Sequence, residues 1–535
     1  MENYSFKKFV LSNKKISLSD FSKIVKEPDL KVEIDDEVKN KILASRKLLD
    51  EYVENGRIIY GVTTSMGGFV DYLVPVEFAE KLQNNLISSV ASNVGEYMSD
   101  EDVRATMLAR LISLSKGASA ISLENFKIFL DMFNKNIIPC IPKKGSLGAS
   151  GDLGPLAFIA LVGVGKWKAK FEGEVLTGEE ALIKAKIKKM KLSYKEGLAL
   201  INGTSAMAGT GAMVSDGVKQ LLGFYEYISA LTFEGLATKL KPFDPIVHKR
   251  KLHKGQNYFS TKIYNILKSS KLVIDEAETE ANIQEKKKNV VEHLDNQIED
   301  AYSLRCSPQI LGPLYETVEF ASTIIENEIN SSSDNPLILS EENNVFHNGH
   351  FHGQYISMAM DYLSICLTTL SNLSDRRIDR FMDKSNSNGL PAFLTKENPG
   401  LRLGLMGGQF MSTSLTAENR SLCTPLSIQT LTSTGDFQDI VSFGLIASRR
   451  CKEILENTLY IVSFELLCAC QAIDIREGSN LSNATKVLYD NVRKIVPYLS
   501  YDTSITPFIE ELKYLVQNTT LLKELDNITS IDINK

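Results

Sequence analysis

The sequence predicts a mainly α protein built around a central bundle of long helices, and three observations carry that expectation. Apolar residues recur at helical spacing over roughly 205–240, 310–330, 354–381, 404–419 and 440–475. Turn-forming segments such as "SSSDNPL" and "KSNSNGLP" interrupt these stretches. Alternating, β-branched runs are few and short, limited to "GRIIYGVTT" and "KFEGEVLTG".

In chain order, the N-terminal "MENYSFKKFVLSNKK" has no apolar stretch of the kind a secretory leader needs. "GRIIYGVTT" reads as a short strand before a glycine pair. "SDEDVRATMLARLISLSKG" reads as an amphipathic helix with both ends marked. Ser99 and Asp102 are spaced as a capping box, Val103, Met107, Leu111 and Leu114 mark one face, and Lys116-Gly117 ends it. The lysine run at 285–293, "EKKKNVVEH", reads as a solvated helix face. No internal repeat, Pro-rich linker or low-complexity tract marks a hinge.

At 535 residues the chain exceeds one ordinary core, so two or three structural regions are expected. Sixty basic against sixty-six acidic side chains give a net charge of -6. Such a balance lacks the basic stripe of a nucleic-acid binder and favours small-molecule chemistry. The seven cysteines are scattered, neither laddered for disulfides nor paired as metal knuckles, which fits reduced thiols in a cytoplasmic protein. The longest uncharged apolar run, "PLAFIALVGVG" at 155–165, is too short to span a bilayer, so no membrane association is expected.

The segment "GSLGASGDLGPLA" concentrates four glycines around an Ala-Ser-Gly triplet. It matches neither a dinucleotide fingerprint nor a phosphate loop. Glycines here permit a sharp bend that brings the amide nitrogen of Gly151 toward the carbonyl carbon of Ala149. Attack there, with loss of two waters, one of them carrying the Ser150 hydroxyl, gives a five-membered ring with an exocyclic methylidene. Such a ring is an electrophile that no ordinary side chain supplies.

Around this segment stand "IYGVTTSMGGF", "LALINGTSAM", "DAYSLRC" and "SDNPLI". In that order they resemble the aromatic amino-acid ammonia-lyases and aminomutases that depend on 4-methylideneimidazole-5-one (MIO). The likeness covers about 60–476. It is nearest to the bacterial phenylalanine 2,3-aminomutases through "YGVTTSMGGFVDYLVP", "FHNGHFHGQYISMAMD", "RRIDRFMDKSNSNGLP", "GDFQDIVSFGL" and "SFELLCACQAIDIR". The resemblance implies the histidine ammonia-lyase fold, like that of fumarase and aspartase: a central bundle at 216–480, a smaller mixed N-terminal domain at 1–215 carrying the MIO loop, and a helical C-terminal segment at 481–535. It also implies a homotetramer whose active sites draw on three chains.

Residue by residue, the resemblance gives MIO formed from Ala149, Ser150 and Gly151, with no metal or nucleotide. Tyr60 matches the catalytic tyrosine that removes a β-proton as a phenolate, a task its ordinary pKa of about 10 suits once a local field lowers it. Arg305 matches the clamp on the α-carboxylate, and Tyr302 a second active-site hydroxyl. Asn202 and Asn335 match amides that hold the ring oxygen and the substrate carboxylate.

Substrate choice is implied by Ser89-Val90 and Gln438, where histidine lyases show a histidine at the second position of the pair and a glutamate in place of Gln438. Both differences point to a neutral ring. Phe351 and Phe437 offer it an apolar wall. His350 and Phe437 stand where asparagines are common. Histidines 347, 350 and 352 invite a metal reading, but no nearby cysteine or carboxylate completes a ligand set, so a loop packed against the site is expected. The activity expected is 2,3-aminomutation of L-phenylalanine with some cinnamate released. An aromatic amino-acid ammonia-lyase is the alternative, and a catalytically inactive helical scaffold is the alternative of another class.

Overall fold

The computed structural model describes residues 4–5, 8–286, 291, 293 and 298–533, so most of the lysine run at 285–293 lies outside the described residues. Helix makes up 59% of the protein, and the strands are few and short. The expected mainly α architecture is what the chain adopts. It sorts into two compact units. One comprises Met1–Asp216, Ala321–Asp361 and Pro425–Lys452, and the other Gly217–Phe320, Tyr362–Thr424 and Glu453–Lys535.

All strands among the described residues belong to the first unit. Lys8–Leu11 pairs in parallel with Lys31–Ile34, and Val94–Tyr97 pairs antiparallel with Pro142–Lys144. "KFEGEVLTG" folds as a hairpin of Lys168–Phe171 and Glu174–Thr177. Its two connecting residues, Glu172 and Gly173, have φ of 50° and 84°, the left-handed pair that matches the twist of tight hairpins.

"GRIIYGVTT" does not form the expected strand. The segment is a series of turns, in which Thr63 Oγ1 accepts from Ile59 N at 2.8 Å and Gly61 N donates to Thr64 Oγ1 at 3.2 Å. Ile59 and Val62 instead plug a small core with Leu48, Leu49 and Ile338. Local side-chain hydrogen bonds thus compete successfully with a ladder here.

The helix Asp100–Ser115 begins and ends where expected, with Ser99 capping Asp102 N at 3.2 Å and Gly117 turning out at φ 69°. Its amphipathic reading does not hold, because residues 102–115 are all buried. The two arginines inside it reach backbone carbonyls, Arg104 Nε that of Val25 and Arg110 Nε that of Ala199, both at 3.0 Å. A buried cation so hydrogen-bonded is tolerated where an unpaired one is not.

The long helices run as Ser205–Gly235, Ser307–Ile329, Gln354–Met382, Met406–Leu422 and Gly444–Ile475. The core of the second unit is polar at its heart. Arg377 and Glu465 are fully buried 3.3 Å apart. Glu465 also accepts from Thr232 at 2.8 Å and Tyr225 at 3.0 Å, and Arg377 donates to Ser229 at 2.8 Å and Ser307 at 2.7 Å. With hydrogen bonds on both partners, the charges stay paired in a low-dielectric interior. The unit closes with helices Asn483–Ile495, Thr506–Val516 and Thr519–Ile533.

Among the described residues, one helix, Gly444–Ile475, is long and apolar enough to cross a membrane, and 83% of its most apolar window is buried inside the protein.

Candidate active site

The Ala-Ser-Gly segment is a backbone fold-back in the first unit. Gly148 and Gly151 both take φ of 70°, and Ala149 pairs with Gly151 across the bend. A Cβ on Gly151 would overlap the Gly203 carbonyl, so glycine is required there for close approach as well as for conformation. That approach is used: Asp152 N donates to Gly203 O at 2.7 Å, and Gly203 N to Ser150 O at 3.4 Å.

Asp152 anchors the bend. Its side chain is wholly buried, accepts from Ser146 Oγ at 3.1 Å, and accepts from Met207 N at 2.7 Å in the first turn of the Ser205–Gly235 helix. Burial pushes its carboxyl up to about 7, against the pull of those hydrogen bonds. Nothing in the sequence marks Asp152 as this anchor. Ser146 lies six positions away in the same segment, but Met207 lies 55 positions on.

The bend forms one wall of a cavity of about 1400 Å³. Tyr60, Ser89, Val90, Ala149, Ser150 and Gly151 line it, joined by Asn202, Asn335, Phe351, Phe437 and Gln438. Ser89 ends the helix Ala79–Ser89 with Val90 as its cap. Gln438 donates from Nε2 to Ser150 Oγ at 3.0 Å, and its Oε1 accepts from Ser433 and Thr434 hydroxyls at 3.0 and 2.8 Å. Further apolar lining comes from Met66, Phe69, Leu86 and Leu153, residues whose spacing in the sequence gives no sign of a shared surface. Among the described residues of the wall there is no Asp, Glu, Lys or Arg.

Tyr60 is held at both ends. Its backbone N donates to His347 Nε2 at 3.1 Å, and its Oη accepts from Gly67 N at 3.0 Å. The expected lowering of its pKa is not what the single chain provides: burial raises it, and the Gly67 N–H pulls down less strongly. His350 does not line the cavity; it is exposed, with its N donating to Asn348 Oδ1 at 2.8 Å.

Asn202 directs its amide Nδ2 to Asp334 Oδ1 at 3.2 Å and to the Asn335 carbonyl at 3.0 Å. Asn335 Oδ1 accepts from Asn348 N at 2.8 Å. Tyr302 and Arg305 are not in the wall. They occupy a short helix, Tyr302–Arg305, of the second unit, where Tyr302 is 70% exposed. There Arg305 Nη2 pairs with Glu299 at 2.8 Å, and its guanidinium sits 5.0 Å from the Tyr302 ring centre.

The profile of the aromatic amino acid lyase family matches residues 16–494. The chain belongs to that family. A histidine ammonia-lyase of Natranaerobius thermophilus is 38% identical over 516 residues, spanning 96% of this chain and 98% of that protein. The solved structure of Pantoea agglomerans phenylalanine aminomutase is 56% identical and superposes with a TM-score of 0.92, over 95% of this chain and 98% of that one. Tyrosine aminomutase from Streptomyces globisporus superposes with a TM-score of 0.92 at 33% identity, over 97% and 98% of the two chains. This member of the aromatic amino acid lyase family is therefore an enzyme of the lyase and aminomutase class. Its fold is shared with histidine ammonia-lyases and aminomutases.

Proposed function

We propose that this enzyme is an MIO-dependent 2,3-aminomutase. It moves the amino group of L-phenylalanine from Cα to Cβ, gives β-phenylalanine, and releases some trans-cinnamate and ammonia. The supporting observation is a bend with Ala149 opposed to Gly151, set into the wall of an uncharged, largely apolar cavity, in a chain 56% identical to a phenylalanine aminomutase.

The residues present fit the MIO group. Gly151 has no room for a side chain, its left-handed φ permits the fold-back, and Asp152 and Gly203 hold the backbone on either side. Formed from Ala149, Ser150 and Gly151, the group supplies an electrophile for the substrate amine. Tyr60 removes the β-proton, with Gly67 N–H donating to the oxygen that must bear the charge. Phe351, Phe437 and Val90 take the phenyl ring, with Ser89 beside them. Gln438 supplies an amide donor at the reacting end, while both amide hydrogens of Asn202 are held by Asp334 and the Asn335 carbonyl, so Asn202 orders the wall there beside Asn335 instead of holding the ring oxygen.

The wall holds no cation for the α-carboxylate, and the cavity exceeds the ~300–1,000 Å³ usual for small-molecule sites. Both facts support a homotetramer in which neighbouring copies complete the site, Arg305 and Tyr302 among their contributions, with three chains sharing each one. The guanidinium fork of Arg305 then clamps the carboxylate. A neighbour's cation also supplies the field that Tyr60 needs. Thiols without a disulfide at all seven cysteines support a cytoplasmic location.

Histidine ammonia-lyase is the second reading, favoured by the name of the 38% identical relative. Val90 and Gln438 oppose it, since neither offers the imidazole a charged partner. Within the phenylalanine reading, mutase and lyase differ by retention of the alkene, a matter of about 1–3 kcal/mol. Chromatography of products from L-phenylalanine, L-tyrosine and L-histidine tests the assignment. β-Phenylalanine with some cinnamate is expected. Cinnamate alone reduces the enzyme to a lyase, and urocanate from histidine overturns the substrate.

A further inference from the structure

Behind the cavity wall lie three buried charges. Lys195 Nζ meets Asp334 Oδ2 at 2.6 Å, and both side chains are fully enclosed. Arg110, also fully buried, packs against Gly203, where its Nη1 is one of the three atoms nearest to a Cβ placed on that glycine. Two buried cations against one carboxylate is a costly arrangement.

Its consequence lies in what Asp334 does with its other oxygen. Oδ1 accepts from Asn202 Nδ2 at 3.2 Å and from Asn335 N at 2.7 Å. Asn202 Nδ2 also meets the Asn335 carbonyl at 3.0 Å. An ionised carboxylate and a carbonyl only accept, so both amide hydrogens of Asn202 must face them. Its Oδ1 must then face away, and that buried oxygen has no partner among the described residues. The orientation of this amide is decided by chemistry and not by an arbitrary choice between N and O. Asn202 is followed by Gly203, the residue that grips the Ala-Ser-Gly bend from both its N and its O. Lys195 itself takes the left-handed conformation at φ 69°, at the start of the helix Glu196–Ile201 that leads into Asn202.

We propose that Lys195 and Asp334 are positioning residues for the reaction: Lys195 keeps Asp334 a pure acceptor, and Asp334 fixes the side chain of Asn202 and the backbone of Asn335 at the cavity wall. The proposal rests on the reading of this cavity as the catalytic one. Neither residue touches substrate.

The test is a cycle of Lys195→Met with Asn202→Ala, assayed on whichever of phenylalanine, tyrosine or histidine the unaltered enzyme turns over. Intact mass is checked in each variant, so that only ring-bearing protein is compared. Lys195→Met is expected to lower kcat/KM about 30-fold in the native background and by no more than about 3-fold in the Asn202→Ala background, the non-additivity of residues acting through one another. If Lys195→Met does not fold, Lys195→Met/Asp334→Ala, which removes the pair together, is expected to show the same contrast. Losses that simply multiply in both backgrounds overturn the proposal, as does unchanged kcat/KM with only a lowered Tm. An unaltered enzyme inert toward all three amino acids would remove the functional reading and this proposal together. Activity with multiplying losses removes this proposal alone.

Discussion

Gln438 reaches across from residues 425–452 to donate to the hydroxyl of Ser150 at 3.0 Å. Its own carbonyl is pinned by Ser433 and Thr434, so the amide cannot turn away. Gln438→Glu keeps the shape and replaces the donor with a carboxylate that, when ionised, only accepts. We expect kcat/KM on phenylalanine to fall about tenfold or more, equivalent to about 1.4 kcal/mol or more, measured by steady-state kinetics. Unchanged kinetics would mean that this amide does not act on the reacting end.

Two glycines with left-handed backbones separate conformation from close approach. At Gly173, with φ 84° and open space around it, alanine is expected to cost only about 1 kcal/mol of stability. At Gly151, alanine meets the Gly203 backbone, and the bend cannot form as it stands. Gly151→Ala is expected to lack the near-ultraviolet band of the ring and all turnover. Denaturation and absorbance difference spectra of the two variants check this.

The paired charges at the heart of the second unit give a third expectation. Arg377→Met leaves Glu465 buried without its cation and is expected to cost about 3–5 kcal/mol, read from the denaturant midpoint. Arg377→Met/Glu465→Leu should recover much of that loss. If the double variant is no better than the single one, the Tyr225 and Ser229 hydroxyls matter more than the ion pair.

Glu234 is buried with one oxygen lacking a partner among the described residues, and burial raises its pKa from 4.5 to about 7. Between those values the folded chain keeps a proton that the unfolded chain releases. Stability from this group is therefore lost as pH rises from 4.5 to about 7. Glu234→Gln removes that slope, flattening the pH dependence by about 3 kcal/mol across the window, as Tm against pH will show. A steeper fall in the variant would contradict the assignment.

The long helices are legible because apolar residues at helical spacing survive in each of them; the stretch expected over 205–240 is the helix Ser205–Gly235. Burial is less legible. Arg104 and Arg110 read as a polar face, yet carbonyls of Val25 and Ala199, remote in sequence, allow them inside. "GRIIYGVTT" has strand composition, but Thr63 and Thr64 close its turns from within. At the site, most motif residues find their shared cavity, while Lys195 meets Asp334 from 139 positions away, and "SDNPLI" points to Asn335 without marking Asp334 as the partner of a lysine. Tyr302 and Arg305 share a turn, as their spacing implies, and are not among the residues that line the cavity.

The central claim is that Ala149, Ser150 and Gly151 condense into the electrophile that defines the reaction. Intact-mass spectrometry of the purified chain tests it most directly. The account expects a mass below that of the encoded sequence by two molecules of water, with Ser150→Ala lacking that deficit and its activity. The full encoded mass in active, unaltered enzyme would contradict it.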